Sequence, residues 1–378
     1  DMYHWPSGGE NGILVLTTSV GLQSIALLED GLLSGVIDEL VTGEMHLTIP
    51  LDTGSGDLDM IGFGESQNVW KYSVDSEGRI GSVESVAPLT NALQQEENAT
   101  VNAAVHVVLP SDGPRLFIGT NRGLVMANSS DLSGGFPTSW IFDTSNAGQY
   151  VKSGAVGSGM DAAVQSLVVD GPRDSGGEIT SPQTLWVGTR VAVHQFDLIV
   201  GPSQPVGAFS YERMYNNFDD DEATKTAGND VLTILPLGDE VIIGSKWGTW
   251  ALDADHSRSS GVEPDHTRIP GRVVDLAILT VEDEPLLFAA LDPGQYANIV
   301  QIDPLSNDSD SDGMVDESEW EDSEELEEVT YWWDHGPQAE VRVGLPFEDS
   351  SDGLLLGVWR YEGEPSGIDP VRIEVDWT

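Results

Sequence analysis

The sequence predicts an all-β protein built from a repeated four-stranded unit, and three observations carry that prediction. The segments RLFIGTNRGLVMAN (115–128), TLWVGTRVAVHQFD (184–197) and EVIIGSKWGTWALD (240–253) align without gaps. Most segments of this kind follow a short apolar run. Several are followed in turn by an aromatic-rich stretch.

Each aligned segment reads as a β-hairpin. An apolar run makes a buried strand, Gly-Thr or Gly-Ser ends it, a short turn follows, and a second alternating run returns. Fainter copies are ILVLTTSVGLQSIAL (13–27), LDMIGFGESQNVWKYSVD (58–75), LLFAALDPGQYANIVQID (286–303) and LLLGVWRYEG (354–363). The preceding strands are EMHLTIPLD (44–52), AAVHVVLP (103–110), AAVQSLVVD (162–170), NDVLTILPLGD (229–239), VVDLAILTVED (273–283) and AEVRVGLP (339–346). The aromatic segments TSWIFDTS (138–145), FSYERMYN (209–216), VTYWWDHG (329–336) and RIEVDWT (372–378) are expected as outer strands. DMYHWPSGG (1–9) reads like VTYWWDHGP (329–337), so the chain is expected to open with an outer strand too. Asp1 to Pro6 would then pair with the last repeat to close a ring, or remain from a preceding repeat.

Strand, hairpin and outer strand together make the blade of a β-propeller. A period of about 45 to 70 residues gives about seven four-stranded blades in one domain, 1–378. A β-sandwich or two stacked all-β domains would also show short alternating strands, and the aligned Gly-Thr/Ser hairpins favour the propeller. These hairpins resemble the repeats of bacterial regulator-type and WD40-like propellers. That resemblance implies a fold and no activity.

Charge dominates the composition, with 64 acidic residues against 16 basic ones and a net charge of −48. Only Lys71, Lys152, Lys225 and Lys246 are lysines, beside 12 arginines. Such a chain repels nucleic acid and anionic lipid, which need basic side chains to displace counterions. An acidic, lysine-poor surface suits high salt, where self-repulsion is screened, so either a halophilic or marine microbial source or a generic acidic secreted protein is expected. Cysteine is absent, which excludes disulfides, thiolate zinc sites and cysteine nucleophiles. No apolar run is long enough to span a bilayer. Because the first residue is Asp1, the sequence reads as a mature form or a part of something longer. Three sequons, at Asn98, Asn128 and Asn307, add weak support for an extracytoplasmic setting.

One stretch stands out from this acidity. In NDSDSDGMVDESEWED (307–322), Asp308, Asp310 and Asp312 take positions 1, 3 and 5 of a loop, Gly313 position 6 and Met314 position 7. Asp316 and Glu319 take positions 9 and 12, with Val315 as the apolar anchor between them. This is the D-x-D-x-D-G-x5-E calcium loop. Ca²⁺ takes six to eight hard oxygens, which alternate residues of a tight turn supply, Met314 through its carbonyl and Glu319 bidentately. The window 308–328 holds 12 acids, and without it 52 acids still face 16 bases, so acidity alone does not mark the loop. An inserted loop and short helix over 304–328 is expected in the sixth blade. With no partner loop, it resembles the isolated calcium loops of thrombospondin type 3 and dockerin-like repeats more than a paired EF-hand, which implies a structural ion.

Other candidates are weaker. FDDDEATKTAGND (218–230) lacks the glycine and closing Glu and reads as a solvated loop. DADHSRSSGVEPDH (253–266) pairs Asp255-His256 with Asp265-His266 at a spacing that gives little metal specificity. His106 and His194 lie within strands and read as packed. SKWGTW (245–250) partly resembles the aspartate box of sialidase-type propellers, but it lacks the Asp and lies in a different hairpin. Trp140, Trp332 and Trp333, among 11 tryptophans, are expected to fill space between blades, and any exposed one would stack on a sugar ring. No nucleophile elbow, phosphate loop or HExxH occurs, so catalytic residues are not assigned. The expected function is a secreted or cell-surface binding or structural module, stabilised by Ca²⁺, with a protein or carbohydrate ligand. The alternatives are an extracellular propeller enzyme acting on carbohydrate, with its site at the central channel, and a sensor domain of a membrane kinase.

Overall fold

A computed structural model describes residues 2–5, 12–27, 33–51, 56–95, 99–109, 113–128, 138–143, 163–172, 179–198, 210–215, 229–237, 240–246, 248–253, 265–266, 272–281, 284–291, 299–302, 330–333, 339–346, 353–362 and 364–374. Among them the strands form seven antiparallel sheets, six of four strands and one of three. The first holds β1 (Met2–Trp5), β2 (Ile13–Thr18), β3 (Gly21–Leu27) and β4 (Leu33–Val41). The second holds β5 (Met45–Leu51), β6 (Leu58–Gly64), β7 (Val69–Val74) and β8 (Glu84–Ser85). The third holds β9 (Val101–Leu109), β10 (Gly113–Thr120), β11 (Gly123–Asn128) and β12 (Thr138–Asp143), and the fourth β13 (Val164–Asp170), β14 (Thr184–Thr189), β15 (Val193–Asp197) and β16 (Ser210–Tyr215). The fifth holds β17 (Val231–Leu237), β18 (Glu240–Ser245), β19 (Gly248–Asp253) and β20 (Asp265–His266). The sixth holds β21 (Val273–Val281), β22 (Glu284–Leu291), β23 (Ile299–Ile302) and β24 (Thr330–Trp333), and the last β25 (Ala339–Pro346), β26 (Gly353–Glu362) and β27 (Glu364–Glu374). Every sheet is a meander in which strands neighbouring in sequence also neighbour in space.

The three aligned hairpins are β10–β11, β14–β15 and β18–β19, at the second and third positions of their sheets. The fainter copies at 13–27, 58–75 and 286–303 occupy the same positions. The copy at 354–363 does not. Its Gly357 is followed by no hydroxyl residue and no turn, so the chain runs on as one strand, β26, with Gly357 opposite Val343 and Pro370. The segment expected from 372 as a separate outer strand therefore begins inside β27. The opening strand also differs from expectation. β1 neither closes a ring nor remains from an earlier repeat, but pairs with β2 from Met2↔Leu16 to Trp5↔Ile13. The Pro-Ser-Gly-Gly-Glu-Asn-Gly run between them has the composition of a turn, and Tyr3 and Trp5 pack against the first sheet's core.

The contacts divide the chain into two compact units. One is Asp1–Tyr150, Gly159–Val187 and Gln195–Arg213; the other is Val151–Ser158, Gly188–His194 and Met214–Thr378. In the first unit the sheets stack face to face, and the stacking explains why second strands read as continuous apolar runs. Along β10, Leu116 and Ile118 enter a core with Ile49, Ile61 and Val101 of the second and third sheets. Phe117 enters another, with Val164, Leu185 and Val187 of the fourth. Alternate residues thus fill cores on both faces, and all three are fully buried. Sheet two does the same, with Met60 and Tyr72 packed against Ile13 and Val15 on its other face.

A helix that the strand pattern does not announce, α1 (Ala87–Leu93), leads from the second sheet to the third. Pro88 suits its first turn, which needs no N–H donor, and Leu89 and Leu93 bury one face against the core between the second and third sheets.

Candidate functional site

The predicted calcium ligands Asp308, Asp310, Asp312, Met314, Asp316 and Glu319 lie outside the described residues, as does the expected helix that follows them. The strands on either side of that stretch are described. β23 pairs with β24 through Ile299↔Trp333, Val300↔Tyr331 and Gln301↔Thr330. The connection 303–329 therefore leaves and returns at one end of the sixth sheet, from its third strand to its fourth. Among the described residues no group of three or more His, Cys, Asp or Glu is placed to hold a metal.

The other candidates resolve as structural parts where they are described. Asp230, at the end of the acidic loop 218–230, is buried, takes the Lys246 ammonium, and accepts the Lys246 backbone N–H through its carbonyl at 3.1 Å. It pins a turn. Asp265 and His266 form β20, opposite Ala251 and Trp250; Asp255 and His256 lie outside the described residues. His194 is fully buried beside the Thr189 hydroxyl, 3.3 Å from its Nε2, and burial pushes its pKa down to about 3. His106 lies in β9, half-buried. Trp140 is half-buried against the core between sheets two and three, as expected of a packing residue. In SKWGTW, the Ser245 hydroxyl donates to the Gly248 carbonyl at 3.1 Å and accepts from Trp250 Nε1 at 3.1 Å, so the motif closes a turn.

That closure recurs and gives the Gly-Thr/Ser pair its physical meaning. Thr120 Oγ1 donates to the Gly123 carbonyl at 3.0 Å and accepts the Arg122 N–H at 3.0 Å. Thr189 Oγ1 does the same with the Ala192 carbonyl at 3.0 Å and the Val191 N–H at 3.4 Å. The glycine before the hydroxyl makes room for the neighbouring sheet. A Cβ on Gly119 would collide with Val164 of β13, and one on Gly244 would lie 2.7 Å from Cγ1 of Val273 in β21.

By register, the end of each second strand meets the start of its first: Gly64↔Met45, Thr120↔Val101 and Ser245↔Val231. Side chains at this end reach from sheet to sheet. His46, second in β5, donates from Nε2 to the carbonyl of Val101, first in β9, at 3.0 Å. Asn102, second in β9, donates from Nδ2 to the carbonyl of Val164, first in β13, at 2.8 Å.

The second sheet carries a corner where titratable groups converge. Its turn is not closed by a hydroxyl. Glu65–Gln67 form a 3₁₀ turn, and the Glu65 N–H donates to the Glu44 carbonyl at 3.2 Å. The two side chains hydrogen-bond to each other, which raises the Glu44 pKa above the ordinary carboxyl range, with burial and the Glu65 charge adding to the shift. Burial lowers the His46 pKa against the opposing pull of its Val101 bond and of Glu65. The corner thus sets an imidazole of lowered pKa near a carboxyl group of raised pKa. It offers hydrogen-bonding groups at the tip of the second sheet. Sequence reasoning missed it because Glu44 and Glu65 belong to no motif and meet only through the β5–β6 register. Their shared position at a turn of the repeat was the available signal.

No protein-family model matches the sequence, and neither does any curated protein. Among solved structures, BBS1N, determined in complex with ARL6DN, is similar over 100% of this chain and 92% of its own, at 10% identity and TM-score 0.53. PorZ, a bacterial surface component of the type-IX secretion system of Porphyromonas gingivalis, is similar over 95% of this chain at 10% identity and TM-score 0.47. The chain spans 37% of the length of PorZ. The extracellular domain of a hybrid two-component system of B. thetaiotaomicron is similar over 77% of this chain, at 14% identity and TM-score 0.43. At these identities the likeness concerns fold, and the chain is an all-β protein of small antiparallel sheets with β-propeller-like structural neighbours.

Proposed function

We propose that the chain is a seven-bladed β-propeller that serves at the cell surface as a binding or structural module and holds one structural Ca²⁺ in its sixth blade. The observation that carries the calcium reading is the D-x-D-x-D-G-x5-E spacing from Asp308 to Glu319, in a connection whose two ends are paired at Gln301↔Thr330. A 27-residue connection with 12 acids in the window 308–328 repels itself, and a divalent cation offsets that repulsion while ordering the loop. An isolated loop without a paired partner suits the weak sites of extracellular modules, with Kd of about 10⁻⁴ to 10⁻³ M. Seven meander sheets among the described residues support seven blades, the last completed differently from the rest. The net charge of −48 supports a halophilic or marine setting and argues against nucleic acid as the ligand; a protein or a carbohydrate remains.

The carboxyl pair at the second sheet's tip does not have the geometry of a carbohydrate-cleaving site. Glycoside hydrolysis sets two carboxyl groups about 5 to 9 Å apart. Glu44 and Glu65 instead hydrogen-bond directly to each other. Isothermal titration of chelator-treated protein with CaCl₂ tests the ion. One site is expected in the natural sequence and none after Asp312→Ala, with circular dichroism showing both folded. Equal heats in the two proteins would overturn the calcium reading.

A further inference from the structure

We propose that β4, the outer strand of the first sheet, is a docking edge that accepts an extended, cationic segment of another protein as a fifth strand. Four of the five large apolar side chains exposed among the described residues belong to this one edge. They are Val36 at 49%, Ile37 at 37% and Val41 at 72% on β4, and Val20 at 45% on the adjoining turn. The fifth, Val108, stands alone on β9.

Sheet edges are ordinarily blunted by short strands, proline or lysine. The outer strands β8 and β20 are two residues long and β24 four, whereas β4 has nine, LSGVIDELV, with no proline, lysine or arginine. The edge is also firmly held. Val20 accepts the N–H groups of Thr42 and Gly43 at 3.1 Å each, which fixes Val20 beside Val41. The Thr18 hydroxyl accepts the N–H groups of Val20 and Gly21, at 3.2 and 3.0 Å. Asp38 accepts the Ile80 N–H at 2.9 Å, and Leu40 packs on the first core. An ordered, apolar strand that ends its sheet among the described residues is the template that strand addition uses.

Charge selects the occupant. Residues 28–44 contain Glu29, Asp30, Asp38, Glu39 and Glu44 and no base, in a chain of net charge −48. A second copy would set these acids against their like, at a strand spacing of about 4.8 Å. A segment alternating apolar residues with Lys or Arg instead matches both the valines and the acids, and the field of the whole chain speeds its approach.

The probe is a fluorescent synthetic octapeptide alternating Lys and Val. It is titrated against the full chain in about 0.15 M NaCl, where exposed charges are screened beyond about 8 Å. Saturable binding is expected, with slowed amide hydrogen exchange at 33–41 and affinity at least about tenfold weaker in the double variant Val36→Lys/Val41→Lys. Both substituted side chains are exposed, and unchanged circular dichroism would show that the variant folds. Three results would each overturn the proposal. One is equal binding of a Lys-Gly-Pro peptide of the same charge. Another is no slowing of exchange at 33–41. The third is a sedimentation dimer that protects this strand without peptide, which would make a second copy the occupant.

Discussion

The turns at Thr120–Gly123 and Gly64–Asn68 occupy the same place in neighbouring sheets and are closed by different chemistry. In the third sheet a hydroxyl donates to one backbone group and accepts from another, leaving a tight, neutral tip. In the second sheet the chain takes a 3₁₀ turn, Asn68 Nδ2 donates to the Glu65 carbonyl at 3.0 Å, and two carboxyl groups are drawn together. Both turns follow second strands packed on two faces, and both meet the start of a first strand. The frame of the repeat is therefore set by sheet packing. The tip is free to vary once its own backbone groups are satisfied, and tips are where recognition chemistry accumulates on rigid scaffolds.

The largest expected effect strikes the frame itself. Gly119→Val would drive a branched side chain into Val164 and toward Leu167, neither of which can yield without moving β13. A loss of about 3 kcal/mol or more is expected in urea unfolding. Gly35→Ala, where a Cβ meets nothing within 4 Å, should stay within about 0.5 kcal/mol. Similar losses at the two glycines would show that the close approach of neighbouring sheets does not govern stability.

Next comes the histidine beyond the fourth sheet's turn. The folded pKa of His194, about 3, lies below the ordinary 6.5, so burial favours the neutral ring. Its contribution to stability is complete above pH 6.5 and is lost as pH falls toward 3, at up to about 1.4 kcal/mol per pH unit. His194→Gln removes the titration and should flatten the melting temperature between pH 6.5 and 4 relative to the natural protein. Parallel curves would mean that the acid sensitivity originates elsewhere.

Thr120→Val should cost less, about 1 to 2 kcal/mol in urea unfolding. The isosteric methyl leaves the buried Thr120 site filled while the Gly123 carbonyl and Arg122 N–H lose their partner. No change would assign the shape of this turn to Gly123 alone. That glycine has φ of 154°, and a Cβ there would meet the Asp143 Cα at 2.9 Å.

What could be read in the sequence followed the range of the forces involved. Hairpins such as 115–128 were legible because alternation, glycine and hydroxyl lie within a few residues of one another and dictate a local structure. The place of β1 was not, since MYHW suits either edge of a sheet and only its packing on the first core decides between them. Nor was the unbroken run of β26, where Gly357 mimics the glycine of the repeat without the hydroxyl that would turn the chain. The proposed calcium loop is marked by spacing alone, because its candidate ligands lie close together in the sequence. The Glu44–Glu65 corner is the opposite case, formed by residues 21 positions apart that only strand register unites.

That corner gives the smallest and most specific expected effect, and it runs opposite in sign to His194. The Glu44 pKa is raised in the folded state by the Glu65 hydrogen bond, by burial and by the Glu65 charge. Such a group favours the folded state while protonated. Its stabilising effect is present in acid and is lost as pH rises through the folded value. Both side chains are exposed, so solvent screens much of the effect and only its sign and salt dependence are predicted. Glu65→Gln keeps a hydrogen-bonding side chain at the corner and removes the charge. Relative to the natural protein, this variant should gain stability near pH 7 and lose that advantage near pH 4, and the difference should shrink in 1 M NaCl, where the Debye length is about 3 Å. Differential scanning calorimetry at the two pH values reads this directly, since the rest of the −48 charge is almost common to both proteins and cancels. A variant equally stable relative to the natural protein at both pH values would mean that Glu65 does not raise the Glu44 pKa. The second sheet's tip would then differ from the third's in shape alone.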